Sequence, residues 1–84
     1  MPFYVYIMQC VDGSFYTGYT KNMLQRARQH ADGKGAKYTR SHKPFEIAYI
    51  ETYESRSSAM KREKQIKKLS HEQKVSLIET QKKA

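Results

Sequence analysis

Residues Tyr16–His30 read YTGYTKNMLQRARQH, and the change of pattern inside this stretch decides the fold. Phe15–Thr20 is aromatic and β-branched, which predicts a short strand. Asn22 is a good N-cap and Gln25, three residues on, completes a capping-box pattern, so a helix is expected from about Asn22 to Ala31. Leu24, Ala27 and Ala31 form a narrow apolar stripe expected to face a sheet, and Gly33 and Gly35 are expected to end the helix. Arg26 and His30 stand four residues apart and so lie one above the other on one helix face. A strand tyrosine, a glycine two residues later and this Arg/His pair read as a site or as a solvated cationic face. Spacing alone does not separate the two.

Upstream, Phe3–Val11, FYVYIMQCV, is apolar on both faces, which predicts a strand covered on both sides and central in its sheet. Asp12-Gly13 then signals a hairpin into the Tyr16 strand. A two-residue turn would pair Val11 with Ser14 and put Tyr6 and Tyr16 on opposite faces. A three-residue loop with Gly13 left-handed pairs Cys10 with Ser14, sets Tyr6 opposite Gly18, and puts both tyrosines on one face. Both loops are common.

Downstream, Asp32–Pro44, DGKGAKYTRSHKP, reads as a basic loop carrying Lys34, Lys37, Arg40 and Lys43 around one aromatic, Tyr38. Phe45–Tyr53 alternates as a third strand with Phe45, Ile47 and Tyr49 on one side. A second helix is expected over Glu54–Leu69, capped by Ser55 or Ser57, with Ala59, Ile66 and Leu69 buried. Ser70 opens a last helix, SHEQKVSLIE, with Gln73 in a second capping box; the basic tail 81–84, QKKA, is expected to fray. The order ββαβαα predicts an α+β fold, a small three-stranded antiparallel sheet flanked by helices, in one domain over residues 1–80.

Composition narrows the partner. The chain has 84 residues, room for one modest core, and 16 Lys and Arg against eight Asp and Glu give a formal charge of +8. Such a charge on a small domain favours a polyanion, of which nucleic acid is the commonest. No stretch approaches the ~18 apolar residues of a membrane-spanning helix. The single cysteine, Cys10, excludes an internal disulfide and reads as a buried thiol. MPFYVYIMQ has no basic n-region and no small-residue cleavage site, so it does not read as a signal peptide, and a cytoplasmic protein is expected. His30, His42 and His71 are too scattered to suggest a histidine metal cluster.

One acidic residue needs explaining. Glu63 falls on the apolar stripe of the second helix, four residues after Ala59 and three before Ile66. A buried carboxylate is costly unless paired or metal-bound. It reads either as an edge residue paired with a neighbouring Lys or Arg, or as a carboxylate that holds a divalent cation completed by water and phosphate oxygens.

Tyr4-Val5-Tyr6, followed ten residues later by Tyr16-Thr17-Gly18, resembles the paired signature of the GIY-YIG nucleases. Arg26 and His30, ten and fourteen residues after Tyr16, match that family's spacing for its arginine and its helix His or Tyr, and Glu63 in AMKREKQIK matches its late-helix glutamate. The resemblance covers nearly the whole chain and is closest to short stand-alone bacterial members. Tyr4 stands where the first motif has glycine, and Thr17 where the second has isoleucine.

The resemblance implies an endonuclease that hydrolyses phosphodiester bonds in DNA or a structured nucleic acid, in repair, recombination or nucleic-acid processing. It implies Mg²⁺ or Mn²⁺ on Glu63, Arg26 clamping the phosphate, Tyr6 or Tyr16 taking a proton from the attacking water, His30 orienting a tyrosine or relaying the proton, and Gly18 as a structural member of the site. Lys34, Lys37, Arg40 and Lys43 can neutralise phosphates, and Tyr38 can stack on a base. If both tyrosines serve one phosphate they share a face, which selects the three-residue loop. The first alternative is a nucleic-acid-binding module of the same fold that does not cut. A weaker one is an adaptor using Lys61–Lys68 at a membrane or an acidic protein. A monomer is the default.

Overall fold

The computed structural model describes residues 2–35 and 37–83; Met1, Ala36 and Ala84, the last in the tail expected to fray, lie outside the described residues. The elements run β1 (Phe3–Cys10), β2 (Phe15–Thr20), α1 (Met23–Ala31), α2 (Lys37–Ser41), β3 (Pro44–Tyr53), α3 (Arg56–Lys67) and α4 (His71–Lys83). The strands form one antiparallel sheet in the order β2-β1-β3, so the doubly apolar strand is central.

Residues Val5, Tyr6, Ile7 and Met8 of β1 are all buried because both sheet faces are covered. On one face Val5 and Ile7 pack with Tyr49, Ala59 and Ile66 and with Ile78 of α4. On the other, Tyr6, Met8 and Cys10 pack with Tyr16, Met23, Tyr38 and Ile47. Apolar burial thus fixes α3 and α4 to one side. The opposite side, under α1 and α2, is rich in tyrosine.

The hairpin takes the three-residue form. Gly13 is left-handed at φ 87°, its N–H donates to the Cys10 carbonyl at 2.9 Å, and the Cys10 N–H donates to the Ser14 carbonyl at 2.8 Å. Tyr6 pairs with Gly18 and Met8 with Tyr16, the register that puts both tyrosines on one face. The His71 ring at the start of α4 stacks on Phe15 with centroids 4.5 Å apart.

Four expectations change. The segment expected to be a plain basic loop contains α2, which inserts a helix into the order ββαβαα. On α1 the expected stripe is not the buried one: Leu24 is 67% exposed and Ala31 is exposed, Met23 and Ala27 are half-buried, and His30 is fully buried. The helix turns Arg26 and His30 toward the sheet because phenols there satisfy them. Phe45, Ile47 and Tyr49 do not share an environment, because the β1–β3 register shifts between Ile7 and Met8 and again between Gln9 and Cys10. Ile47 therefore joins the tyrosine face and Tyr49 the opposite core, while Phe45 is left 66% exposed. Finally, α4 runs on to Lys83, and Gln81 binds both the N–H and the carbonyl of Ile50 on β3, at 3.2 and 2.6 Å.

Helix ends follow local chemistry. Asn22 accepts from the Gln25 N–H at 3.0 Å, but its own N–H goes to the Thr20 hydroxyl rather than back to Gln25. At the other end of α1 the Gly33 N–H meets the His30 carbonyl and the Lys34 N–H meets that of Gln29, a Schellman ending with Gly33 at φ 73°. Ser55 caps α3 through the Ser58 N–H, and both arms of the Ser70–Gln73 box are formed.

Candidate functional site

The hairpin register sets the floor of the site. With no side chain at Gly18, the Tyr6 ring lies over that position: a Cβ there would sit 2.7 Å from Tyr6 Oη and 3.0 Å from Tyr16 Cε2. A glycine is required by close approach rather than by backbone conformation.

Capping by Asn22 starts α1 so that Arg26 and His30, one turn apart, both reach this floor. Arg26 Nε donates to Tyr6 Oη at 3.3 Å, and its Nη1 donates to Gln29 Oε1 at 3.1 Å. His30 Nε2 and Tyr6 Oη are 2.8 Å apart, and His30 Nδ1 lies 2.7 Å from Thr39 Oγ1 of α2. The imidazole stands edge-on to Tyr6 with centroids 5.8 Å apart and tilts against Tyr16 at 5.5 Å. Tyr16 in turn stacks on Tyr38 at 6.1 Å, and Tyr38 on His42 at 4.0 Å with planes only 5° apart. Tyr6 and His30 are 0% exposed, whereas Tyr16 is half-buried.

Burial controls the charges. It pushes the Tyr6 phenol up to about 12; Arg26 opposes this, while Tyr16 and Glu63 add to it. Burial, and then the positive charge of Arg26, holds His30 below its ordinary value and so favours the neutral ring. For Arg26 burial acts against the charge, but bonding to Tyr6 and Tyr16 outweighs it, and the guanidinium is held more firmly protonated than usual.

Glu63 enters from α3. Its side chain is 15% exposed and lies 3.7 Å from Lys67 Nζ one turn on, the paired reading the sequence allowed, yet its charge is also felt by the Tyr6 phenol. The described residues contain no group of three or more His, Cys, Asp or Glu able to hold an ion. A metal here would therefore rest on one protein carboxylate, with water and substrate oxygens completing its shell. That donor set suits Mg²⁺.

Tyr6, Tyr16, Gly18, Arg26 and His30 thus form one cluster, with Glu63 within electrostatic reach. Lys34, Lys37, Arg40 and Lys43 are exposed; Tyr38 is half-buried, with rings against both Tyr16 and His42. Two members escape a reading of the sequence. Thr39 is the buried partner of His30, and Gly35 is the cradle of its ring, where a Cβ would lie 2.9 Å from His30 Cε1. The signal available was a second glycine after Gly33, one more than a helix stop needs.

The family model for the GIY-YIG catalytic domain matches residues 2–76. A UPF0213 protein of Staphylococcus epidermidis is 49% identical over 76 residues, covering 90% of this chain and 93% of the relative. One of Oceanobacillus iheyensis is 50% identical over 78 residues, covering 93% and 91%. Among solved structures, the solution NMR structure of a UPF0213 protein from Bacillus halodurans superposes with a TM-score of 0.61 at 45% identity, covering 95% of this chain and 85% of the other. An E. faecalis protein, also solved by NMR, gives 0.66 at 38% identity, covering 100% and 90%.

Proposed function

The chain belongs to the GIY-YIG family, and from that premise we propose that it is a metal-dependent endonuclease hydrolysing phosphodiester bonds in DNA or a structured nucleic acid. The observation that carries the reading is the convergence of Arg26 and His30 on the Tyr6 hydroxyl, with Tyr6 and Tyr16 packed together over Gly18.

Arg26 binds the phosphate: its Nε is braced by Tyr6 and its planar fork suits two phosphate oxygens, stabilising charge as it builds. A tyrosine takes the proton of the attacking water as the new P–O bond forms and the bond to the leaving oxygen breaks. Tyr16 is the phenol with surface open to solvent; Tyr6 has none and braces Arg26 and His30 from beneath. Glu63 is the residue that would hold Mg²⁺ or Mn²⁺, exchanging its contact with Lys67 for the ion. Such an ion supplies Lewis-acid stabilisation of the phosphate. Lys34, Lys37, Arg40 and Lys43 serve the backbone of the substrate and Tyr38 its bases. No described helix is long and apolar enough to cross a membrane, and a cytoplasmic monomer is part of the same reading.

The test is cleavage of end-labelled DNA in Mg²⁺ or Mn²⁺. Arg26→Ala and Glu63→Ala are each expected to slow it by about 100-fold or more, the range for losing one preorganised charge partner. Activity that survives both substitutions refutes the site. The Glu63–Lys67 pairing favours one rival, a module on this fold that binds nucleic acid without cutting it. That rival predicts salt-sensitive binding and no metal-dependent product.

A further inference from the structure

We infer that Thr39 is a positioning residue: its hydroxyl fixes the tautomer of His30, and through it the direction of a buried hydrogen-bond chain that ends on Arg26. The inference rests on the proposed role of Arg26 at the phosphate, and it adds Thr39 of α2 to a cluster read from β1, β2 and α1, with Glu63 from α3.

The chain has four members, Arg26 Nε, Tyr6 Oη, the two His30 ring nitrogens and Thr39 Oγ1, at successive separations of 3.3, 2.8 and 2.7 Å. Arg26 only donates. Tyr6 Oη therefore accepts a hydrogen bond from Arg26 and has an O–H of its own to donate. A neutral imidazole carries one N–H, on either nitrogen. With that hydrogen on Nε2, Tyr6 Oη faces two donors, and its own O–H has no acceptor among the described residues. With the hydrogen on Nδ1 the Tyr6 O–H is placed, and only the Thr39 O–H, which rotates about its C–O bond, has to turn away from the ring. Nδ1–H donates to Thr39, Tyr6 donates to Nε2, and a lone pair of Tyr6 is left facing Arg26.

Water cannot repair a wrong choice, because Tyr6 and His30 are 0% exposed and Thr39 is 2% exposed. Nor can the ring swing away: any Cβ at position 35 would stand 2.9 Å from its Cε1 and Cγ, so the imidazole lies flush against Gly35. Valine in place of Thr39 keeps the shape and removes the acceptor. The ring hydrogen then has no partner on Nδ1 and moves to Nε2, Tyr6 Oη divides its lone pairs between His30 and Arg26, and the bond that braces Arg26 is weakened.

The experiment is ¹⁵N NMR of the His30 ring and the Arg26 Nε–H group in the full chain at neutral pH, for wild type, Thr39→Val and Thr39→Ser. Wild type is expected to carry the hydrogen on Nδ1. Thr39→Val is expected to move it to Nε2 and to shift the Arg26 Nε–H signal, and Thr39→Ser to restore both. In the same series DNA cleavage falls about tenfold in Thr39→Val, the worth of one charge-assisted hydrogen bond, and recovers in Thr39→Ser. Wild-type His30 protonated on Nε2 overturns the inference, as does a folded Thr39→Val variant with unchanged His30 and Arg26 signals. If Thr39→Val does not fold, the wild-type tautomer alone decides. Failure of the nuclease reading is a separate outcome, no metal-dependent cleavage by wild type, and leaves the ring spectra to judge Thr39.

Discussion

Gly33 and Gly35, two residues apart, are glycines for different reasons, and the difference can be measured. Gly33 has φ 73° with open space around it, so its need is conformational. Gly35 has no such backbone; a Cβ there meets the His30 ring. Gly33→Ala is expected to cost about 1–2 kcal/mol through the left-handed backbone and to leave the His30 signals unchanged. Gly35→Ala is expected to cost about 1–3 kcal/mol by overpacking, and to shift those signals as the ring is pushed off Thr39. Urea denaturation with NMR of the His30 ring separates the two. His30 itself makes stability depend on pH. Its folded value lies below that of the unfolded chain, so on acidification the unfolded state takes up a proton that the native state refuses. The contribution is present above about pH 6.5 and is lost as pH falls through the folded value. His30→Gln is expected to flatten that part of the stability profile, read as the urea midpoint against pH.

At the level of elements, the parts legible in the sequence are those fixed by a few neighbouring residues. The central strand followed from a run apolar on both faces, and the caps at Asn22, Ser55 and Ser70 from side chains that bind N–H groups three residues on. The hairpin was open between two loops until the shared face of Tyr6 and Tyr16 supplied a chemical reason to choose. What could not be read depends on distant partners. The Leu24 stripe of α1 faces solvent because burying Arg26 and His30 against phenols wins over a thin apolar face, and hydrophobic periodicity has no measure of that trade. The helix α2 is five residues long with no periodicity to read, and its buried Thr39 meets the site through the His30 ring, a distant partner in sequence terms. The bulges in β3 leave no mark in the alternation of Phe45–Tyr53. A further device of this kind ties α3 to the sheet. Glu51 on β3 accepts from Tyr49, from Tyr53 at 2.6 Å, and from Arg62 Nε and Nη2 at 2.9 and 3.0 Å. Arg62→Met leaves that half-buried carboxylate without its cation and is expected to cost about 1.5–3 kcal/mol. Arg56→Met, at the exposed start of α3 where the guanidinium lies over the Phe3 ring, is expected to cost no more than about 0.5–1 kcal/mol. Equal urea midpoints for the two variants would show that the Arg62 fork does not anchor the helix.

For the whole molecule, the two faces of the sheet divide the apolar core from Tyr6, Tyr16, Arg26 and His30. Glu63 comes to the proposed chemistry from α3, a helix of the core side. The core of Val5, Ile7, Ala59, Ile66 and Ile78 lies on one side, and Tyr6, Tyr16 and Tyr38 lie on the other with Arg26 and His30. The strand β1 serves both faces because its side chains alternate, Val5 and Ile7 toward one and Tyr6, Met8 and Cys10 toward the other. The charge of +8 says only that a polyanion is favoured, and the fold sets some of these cations beside the cluster. Lys37, Arg40 and Lys43 lie in and just after α2, whose Tyr38 stacks on Tyr16, so these exposed cations border the cluster. Lys82 and Lys83 end α4, a helix packed on the opposite face. If the basic border holds the nucleic-acid backbone, each phosphate neutralised releases counterions, and log K falls with log salt by about 0.9 per contact on duplex DNA. Lys37→Ala with Lys43→Ala is then expected to reduce the slope by about 1.8, twice the value for one contact. The loss of affinity should be similar for unrelated sequences, since phosphate contacts carry no base information. Lys82→Ala with Lys83→Ala removes the same charge from the far side and is expected to leave the slope nearly unchanged. Fluorescence anisotropy of labelled duplexes across a salt series measures both pairs. Equal slopes for the two double variants would mean that attraction is spread over the whole +8 surface and that the border of the site has no special part in binding.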